Sequence, residues 1–188
     1  MTIQDFDAQF EKVLCRTRRW EAFRLIAEEL ISRGRPVHVV ETGCARHSEN
    51  WNGDGQSTLV WDWLVQQVGG SAVSFDISTE SVAYAKSKVS KAEVRCIDSV
   101  IGLRQYQHTE LLDLVYLDSY DLTGGIESPT HHLAELTSIY PRLPSGCLIA
   151  VDDCVDEGHG KHRFVRDWLG SLGVQPIVRS YITVWRKP

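Results

Sequence analysis

VHVVETGCARHSENWNGDGQST, residues 37–58, opens as a buried strand and closes at the start of a buried helix. A mostly β-branched run ends at Glu41, and two sets of glycines follow: Gly43, then Gly53 and Gly55. Glycine lets a chain leave a strand tightly and lets its backbone approach a ligand closely. Gly43 is read as the first such turn, Gly53 and Gly55 as a second approach. Ser57 or Thr58 is read as the cap of the helix beginning at Leu59. The intervening RHSENWN (46–52) is read as a flap over a ligand, with Trp51 as its contact.

Outward from this unit, strands and helices alternate. PVHVVE (36–41), SAVSFD (71–76), EVRCID (93–98), DLVYLD (113–118) and GCLIAVDD (146–153) read as strands. Helices are expected over 59–68, over 79–89 with Ser78 as N-cap, from Ser128-Pro129 to Tyr140, and around 164–172. That alternation implies a doubly wound, mostly parallel α/β sheet of about seven strands. VQPIVRS and YITVWRK close the chain too near each other for a crossover helix, so they form an antiparallel hairpin at one edge. Before residue 36, apolar residues from Phe6 to Leu30 recur at helical spacing. The chain therefore divides into an N-terminal helical extension (1–35) and one Rossmann-like domain (36–188). Trp61 and Trp63 are read as packing residues.

The 188 residues suffice for a full core, and 43% apolar and 24% charged residues are ordinary for a globular protein. A net charge of −5 offers no field for nucleic acid or an anionic membrane. Arg16, Arg18 and Arg19 read as a solvated helix face. No apolar run approaches the ~20 residues needed to span a bilayer, and MTIQDFDAQF lacks a secretory layout. Cysteines 15, 44, 96, 147 and 154 are odd in number and never paired as CxxC, which suits reduced thiols in a cytoplasm.

Ligands of such sheets gather beyond the C-terminal strand ends, where strand order reverses. Those ends read Glu41, Asp76, Asp98, Asp118, and Asp152 with Asp153. Asp76 lies about twenty residues beyond Gly55, the spacing at which an acid bonds ribose hydroxyls. A nicotinamide dinucleotide wants a compact glycine turn for its pyrophosphate. Here the loop is stretched, with Glu49 and Asp54 nearby, so a cationic, phosphate-free adenosyl ligand suits the rim better.

With VVETGC…GDGQST, SFDIS, VRCIDS, DLVYLDSYD, IAVDD and the terminal hairpin in place, residues 37–188 resemble the class I S-adenosylmethionine-dependent methyltransferases. HHLAELTSIYPRLPSGCLIAVDD (131–153) resembles the metal-dependent small-molecule O-methyltransferases, nearest the macrocin and sugar type and more distantly the catechol type. The resemblance implies that Glu41 and Gly43 flank the methionine part of the cofactor, with Gly55 and Ser57 in the same loop. It implies Asp76 on the ribose, Asp98 and Ser99 facing adenine, and Asp118, Asp152 and Asp153 as ligands of Mg²⁺ or Mn²⁺. Three converging carboxylates repel one another unless a cation intervenes, which points the same way.

The general base departs from both patterns. Tyr120 stands where the sugar type keeps an acid, and Asp121 where the catechol type keeps a lysine. Asp121 is the first candidate for the base, with His131 or His132 next. LTGGIESP (122–129) and DEGHGKH (156–162) are read as lids, the latter with His159 and His162 in a solvated loop. The expected reaction is methylation of a small-molecule hydroxyl on a sugar, a glycosylated metabolite or a polyphenol. A metal-using hydroxylase of the same fold and a cofactor-binding protein without turnover are the alternatives. The N-terminal helices are left to cover the site or to pair the chain with a second copy.

Overall fold

The computed structural model of the chain describes residues 1–47, 50–156 and 158–188. Seven strands form one sheet: β1 (Val37–Thr42), β2 (Gly70–Asp76), β3 (Glu93–Cys96), β4 (Leu114–Leu117), β5 (Leu148–Val151), β6 (Pro176–Val178) and β7 (Thr183–Arg186). Their order is β3-β2-β1-β4-β5-β7-β6, so the direction of winding reverses between β1 and β4. β1 to β5 run parallel, while β7 pairs antiparallel with both β5 and β6. The closing hairpin is thus an edge feature, as its short connection requires.

The central strands are apolar on both faces, as strands covered by helices on either side must be. Leu114 and Tyr116 of β4 enter one core, with β5's Leu148 and Ala150; Val115 and Leu117 enter the other, with Ile149 and Val151. The first core is filled by α1 (Ile3–Leu14), α2 (Trp20–Ser32) and α3 (Ser57–Val68) through residues such as Phe6, Phe23, Ile26 and Trp61. The N-terminal helices therefore share a core with the sheet. Trp61 packs on Phe23 and Tyr116, and Trp63 on Phe6 and Phe10, as packing residues.

The second core lies beneath α5 (Ser99–Gln105), α6 (Glu127–Ile139) and α7 (Arg163–Ser171). A smaller cluster of Val82, Ala85 and Val94 joins α4 (Thr79–Lys88) to β3. Ser78 does cap α4, its hydroxyl accepting from Ser81 N at 3.2 Å. Neither Ser57 nor Thr58 caps α3. Gln56 takes that position in a left-handed conformation, and Thr58 turns inward to Glu41. Ser128 also lies inside its helix, and its hydroxyl donates to the carbonyl of Tyr120 at 2.9 Å.

Two acids tie the fold together away from the rim. Asp62, on the apolar α3, accepts the backbone N–H groups of Ser90, Lys91 and Ala92 and so fixes the turn into β3. Asp113 is fully buried before β4 and pairs with Arg33 and Arg35 at the end of the extension. No helix among the described residues is long and apolar enough to cross a membrane.

Candidate active site

A cavity of about 450 Å³ opens at the C-terminal ends of β1, β2 and β4, beside the reversal of strand order. Its lining includes Gly43, Ser57, Asp76, Asp98, Ser99, Asp118, Tyr120, Asp121 and His131, so these expected residues are brought together. Glu41, Gly53, Gly55, His132, Asp152 and Asp153 are not on its wall. Three non-glycine residues with positive φ sit around this end of the sheet: Gln56 (53°), Tyr120 (43°) and Asp153 (52°). Such backbone is costly for side chains other than glycine and clusters at functional sites.

Gly43 has φ +78°, and a Cβ on it would lie 2.6 Å from the carbonyl oxygen of Asp118. The end of β4 thus leaves room only for glycine there. Gly55 has φ +68° and lies against Arg19, while Gly53 lies against Asn50. Both shape the loop from behind. Trp51 packs on Phe10 at 6.0 Å between centroids and belongs to the α1 interface, not to a ligand contact. Within the flap, Ser48 and Glu49 lie outside the described residues, as does Glu157 in the second lid segment.

Asp76 ends β2 and accepts Cys44 N at 3.1 Å through one oxygen and Ser78 N at 2.7 Å through the other. It therefore holds the exit of β1 against the start of α4. Asp98 caps α5 through Ile101 N at 3.0 Å, and Ser99 contacts His131 Nε2 at 2.9 Å. His131 also lies 3.3 Å from Glu135, and this hydrogen bond raises its pKa. His132 is fully buried, and its Nδ1–H donates to the carbonyl of Ser128 at 2.7 Å. Burial pushes its pKa down to about 4, so it is a neutral core histidine away from the cavity. His162 is buried too, with its pKa pushed down to about 4 by burial; His159 is exposed and bonded to Asp156.

Arg46 is a residue that the sequence reading passed over. Its guanidinium spans the cavity mouth, 3.0 Å from Asp121 on one side and 3.3 Å from Asp54 on the other.

Glu41 sits behind the wall with only 2% of its surface exposed. Thr58 donates to it at 2.7 Å and Ser74 at 2.5 Å, while Oε1 has no partner among the described residues. Burial raises its pKa to about 7. The folded protein therefore keeps a proton that the unfolded chain gives up near 4.5. That makes a contribution to stability which is full below 4.5 and shrinks as pH rises toward 7. Glu41→Gln removes the penalty. Its urea midpoint relative to the wild type should rise between pH 5 and pH 8, by up to about 3 kcal/mol in free energy. A difference that stays constant with pH would show that Glu41 ionises freely in the fold.

Asp118, Asp152 and Asp153 do converge, but two side chains of the same protein stand among them. Lys161 Nζ lies 2.7 Å from Asp118 and 3.0 Å from Asp153. Arg19 lies 2.7 Å from Asp152 and 3.0 Å from Asp153, and donates to the carbonyl of Asn52 at 2.8 Å. Tyr116 donates to Asp152 at 2.7 Å. Burial alone would lower the pKa of Lys161 and Arg19; the carboxylates outweigh it and hold both cations charged. Arg19 is therefore no solvated face residue, since only 3% of its side chain is exposed. Among the described residues no group of acids, histidines or cysteines is arranged to hold a metal ion. Each of the three acids expected to ligate Mg²⁺ is already paired with Lys161 or Arg19, so this set does not fit a resident divalent ion.

No family model matches the sequence. Solved structures of similar architecture include several methyltransferases. The N-methyltransferase NodS from Bradyrhizobium japonicum WM9 is 14% identical with a TM-score of 0.55, covering 91% of this chain and 97% of that one. The O-methyltransferase NovP is 15% identical with a TM-score of 0.61, covering 90% of this chain and 79% of that one. MycE, a methyltransferase solved with Mg, S-adenosylhomocysteine and mycinamycin VI, is 15% identical with a TM-score of 0.58, covering 84% and 47%. Among curated proteins, a fimbrin of Dictyostelium discoideum is 22% identical over 161 residues, or 85% of this chain. The chain spans about a quarter of that relative's length, 24%. Likeness at these identities shows the fold alone.

Proposed function

We propose that the chain transfers a methyl group from S-adenosylmethionine to a hydroxyl of a small molecule. One observation carries the reading. Five carboxylates, those of Asp54, Asp76, Asp98, Asp118 and Asp121, line the cavity beside the reversal of strand order, against one guanidinium, Arg46. Such a wall favours a cation and repels a pyrophosphate. The fit extends to detail. Asp76 supplies an acceptor pair for vicinal ribose hydroxyls, Asp98 and Ser99 supply polar groups for a base, and Gly43 allows close approach. When bound, S-adenosylmethionine supplies an electrophilic methyl on a sulfonium.

The protein's own task is then to align an acceptor oxygen in line with that methyl and to take its proton. Asp121 is assigned the proton. It is exposed at the mouth, and Arg46 holds its carboxylate in one direction. Tyr120, half-exposed beside His131, forms the adjoining wall for the acceptor. No step is routed through a divalent ion, because Lys161 and Arg19 already occupy the carboxylates that would ligate it. The same occupancy argues against the hydroxylase alternative.

Incubation with methyl-labelled S-adenosylmethionine and a panel of sugars, glycosylated metabolites and polyphenols tests the reading by mass spectrometry. A methylated product together with S-adenosylhomocysteine supports it; cofactor binding without product from any acceptor supports a binding protein instead. With an acceptor in hand, Asp121→Asn should lower kcat about a hundredfold and leave S-adenosylhomocysteine affinity unchanged.

A further inference from the structure

We infer that Lys161 and Arg19 are the resident counter-ions of the acid rim and make it independent of a divalent metal. The inference takes its purpose from the methyltransferase reading and its geometry from the cluster alone. With all three acids ionised, three carboxylates and two cations leave one net negative charge, the same balance that three carboxylates and one divalent ion would leave. Adding the ion to the existing cations would put a net positive charge into a nearly dry cluster. Expelling Lys161 would require moving an ammonium whose side chain is 2% exposed.

Hydrogen bonding agrees with the charge count. Asp152 uses one oxygen for Arg19 and Tyr116 and the other for Asp153 N. Asp153 gives one oxygen to Arg19 and the other to Lys161, and Asp118 gives Oδ1 to Lys161. Among the described residues, the one carboxylate oxygen of the six left without a bond is Oδ2 of Asp118. Asp118 is also the one acid of the three that lines the cavity. Lys161 is therefore a positioning residue: it pins one oxygen of Asp118 and leaves the other to accept a hydrogen bond from an acceptor hydroxyl. Arg19 closes the cluster from behind and, through Asn52, braces the loop that forms the cavity's edge. The N-terminal extension is by this route part of the site.

The test is a calorimetric titration of the chelator-stripped full chain with Mn²⁺. The wild type should show no saturable site. Lys161→Gln should gain Mn²⁺ binding, because three carboxylates then face only Arg19, and Lys161→Arg should abolish that gain. A wild-type Mn²⁺ site that Asp118→Asn removes would overturn the inference, as would a folded Lys161→Gln that stays metal-blind. Should Lys161→Gln fail to fold, the wild-type titration decides alone. S-adenosylhomocysteine added in a thermal melt separates the two claims. Failure to stabilise the chain would sink the methyltransferase reading and leave the ion balance intact.

Discussion

Asp76→Ala is expected to abolish most of the rise in melting temperature that S-adenosylhomocysteine gives the wild type. At a hundredfold excess over Kd, a ligand that binds only the native state stabilises it by about 2.7 kcal/mol. For a chain of this size that is roughly 5–10 °C. Asp76 is the acid whose two oxygens tie the exit of β1 to the start of α4, through Cys44 and Ser78. A ribose edge meeting that carboxylate would find both acceptors on rigid elements. Truncation also frees two N–H groups, so Asp76→Asn is the companion variant. It keeps an acceptor oxygen while losing the charge. Loss of the ligand shift in a variant whose ligand-free melting is unchanged assigns the effect to the ribose; a full shift in both variants removes Asp76 from that role.

Arg19→Ala should destabilise the ligand-free protein by about 3–5 kcal/mol, the cost of leaving buried charges without their partner. The guanidinium meets two carboxylates, a loop carbonyl and the ring of Tyr181, 4.7 Å from its centroid. Its removal leaves Asp152, fully buried, with Tyr116 and a backbone N–H as its remaining partners. Pairing Arg19→Ala with Asp152→Asn should recover much of the loss, since neutralising the stranded acid removes the larger part of the penalty. Additive losses in a denaturation series would show that the two residues do not act as a pair.

The parts that were legible in the sequence are those set by local pattern. Apolar runs ending in acids located β1, β2, β4 and β5, because a strand buried on both faces shows its length directly; β3, with three of its four residues exposed, has no such run. The short spacing of the last two runs gave the antiparallel hairpin. Missing from the reading was α5, residues 99–105. It is seven residues long and interrupted by Gly102, whose missing side chain makes room for Phe75. Too few turns are present there for a helical period to emerge.

The site was legible on the side that the strands build. Gly43, Asp76, Asp98, Ser99, Asp118, Tyr120 and Asp121 all reach the cavity because each follows or neighbours a strand end, while His131 reaches it from α6. What escaped was the source of positive charge. Three convergent acids did require a cation, but the sequence offered two suppliers: an ion from solution or basic residues elsewhere in the chain. Arg19 lies 133 positions from Asp152, in a break between helices that looks like a surface cluster. Lys161 stands in a stretch of glycine and histidine that looks solvated. No local period links either to the rim, since only the packing of α1 and α2 on the sheet brings Arg19 there. Trp51 was misread for the same reason, its partner Phe10 being on the extension.

The most direct measurement is a crystal structure of the chain grown with S-adenosylhomocysteine. The account predicts density in the cavity between β1, β2 and β4, with the ribose on Asp76 and the base beside Asp98 and Ser99. Density elsewhere with this cavity empty, or a ribose lying away from Asp76, would contradict it.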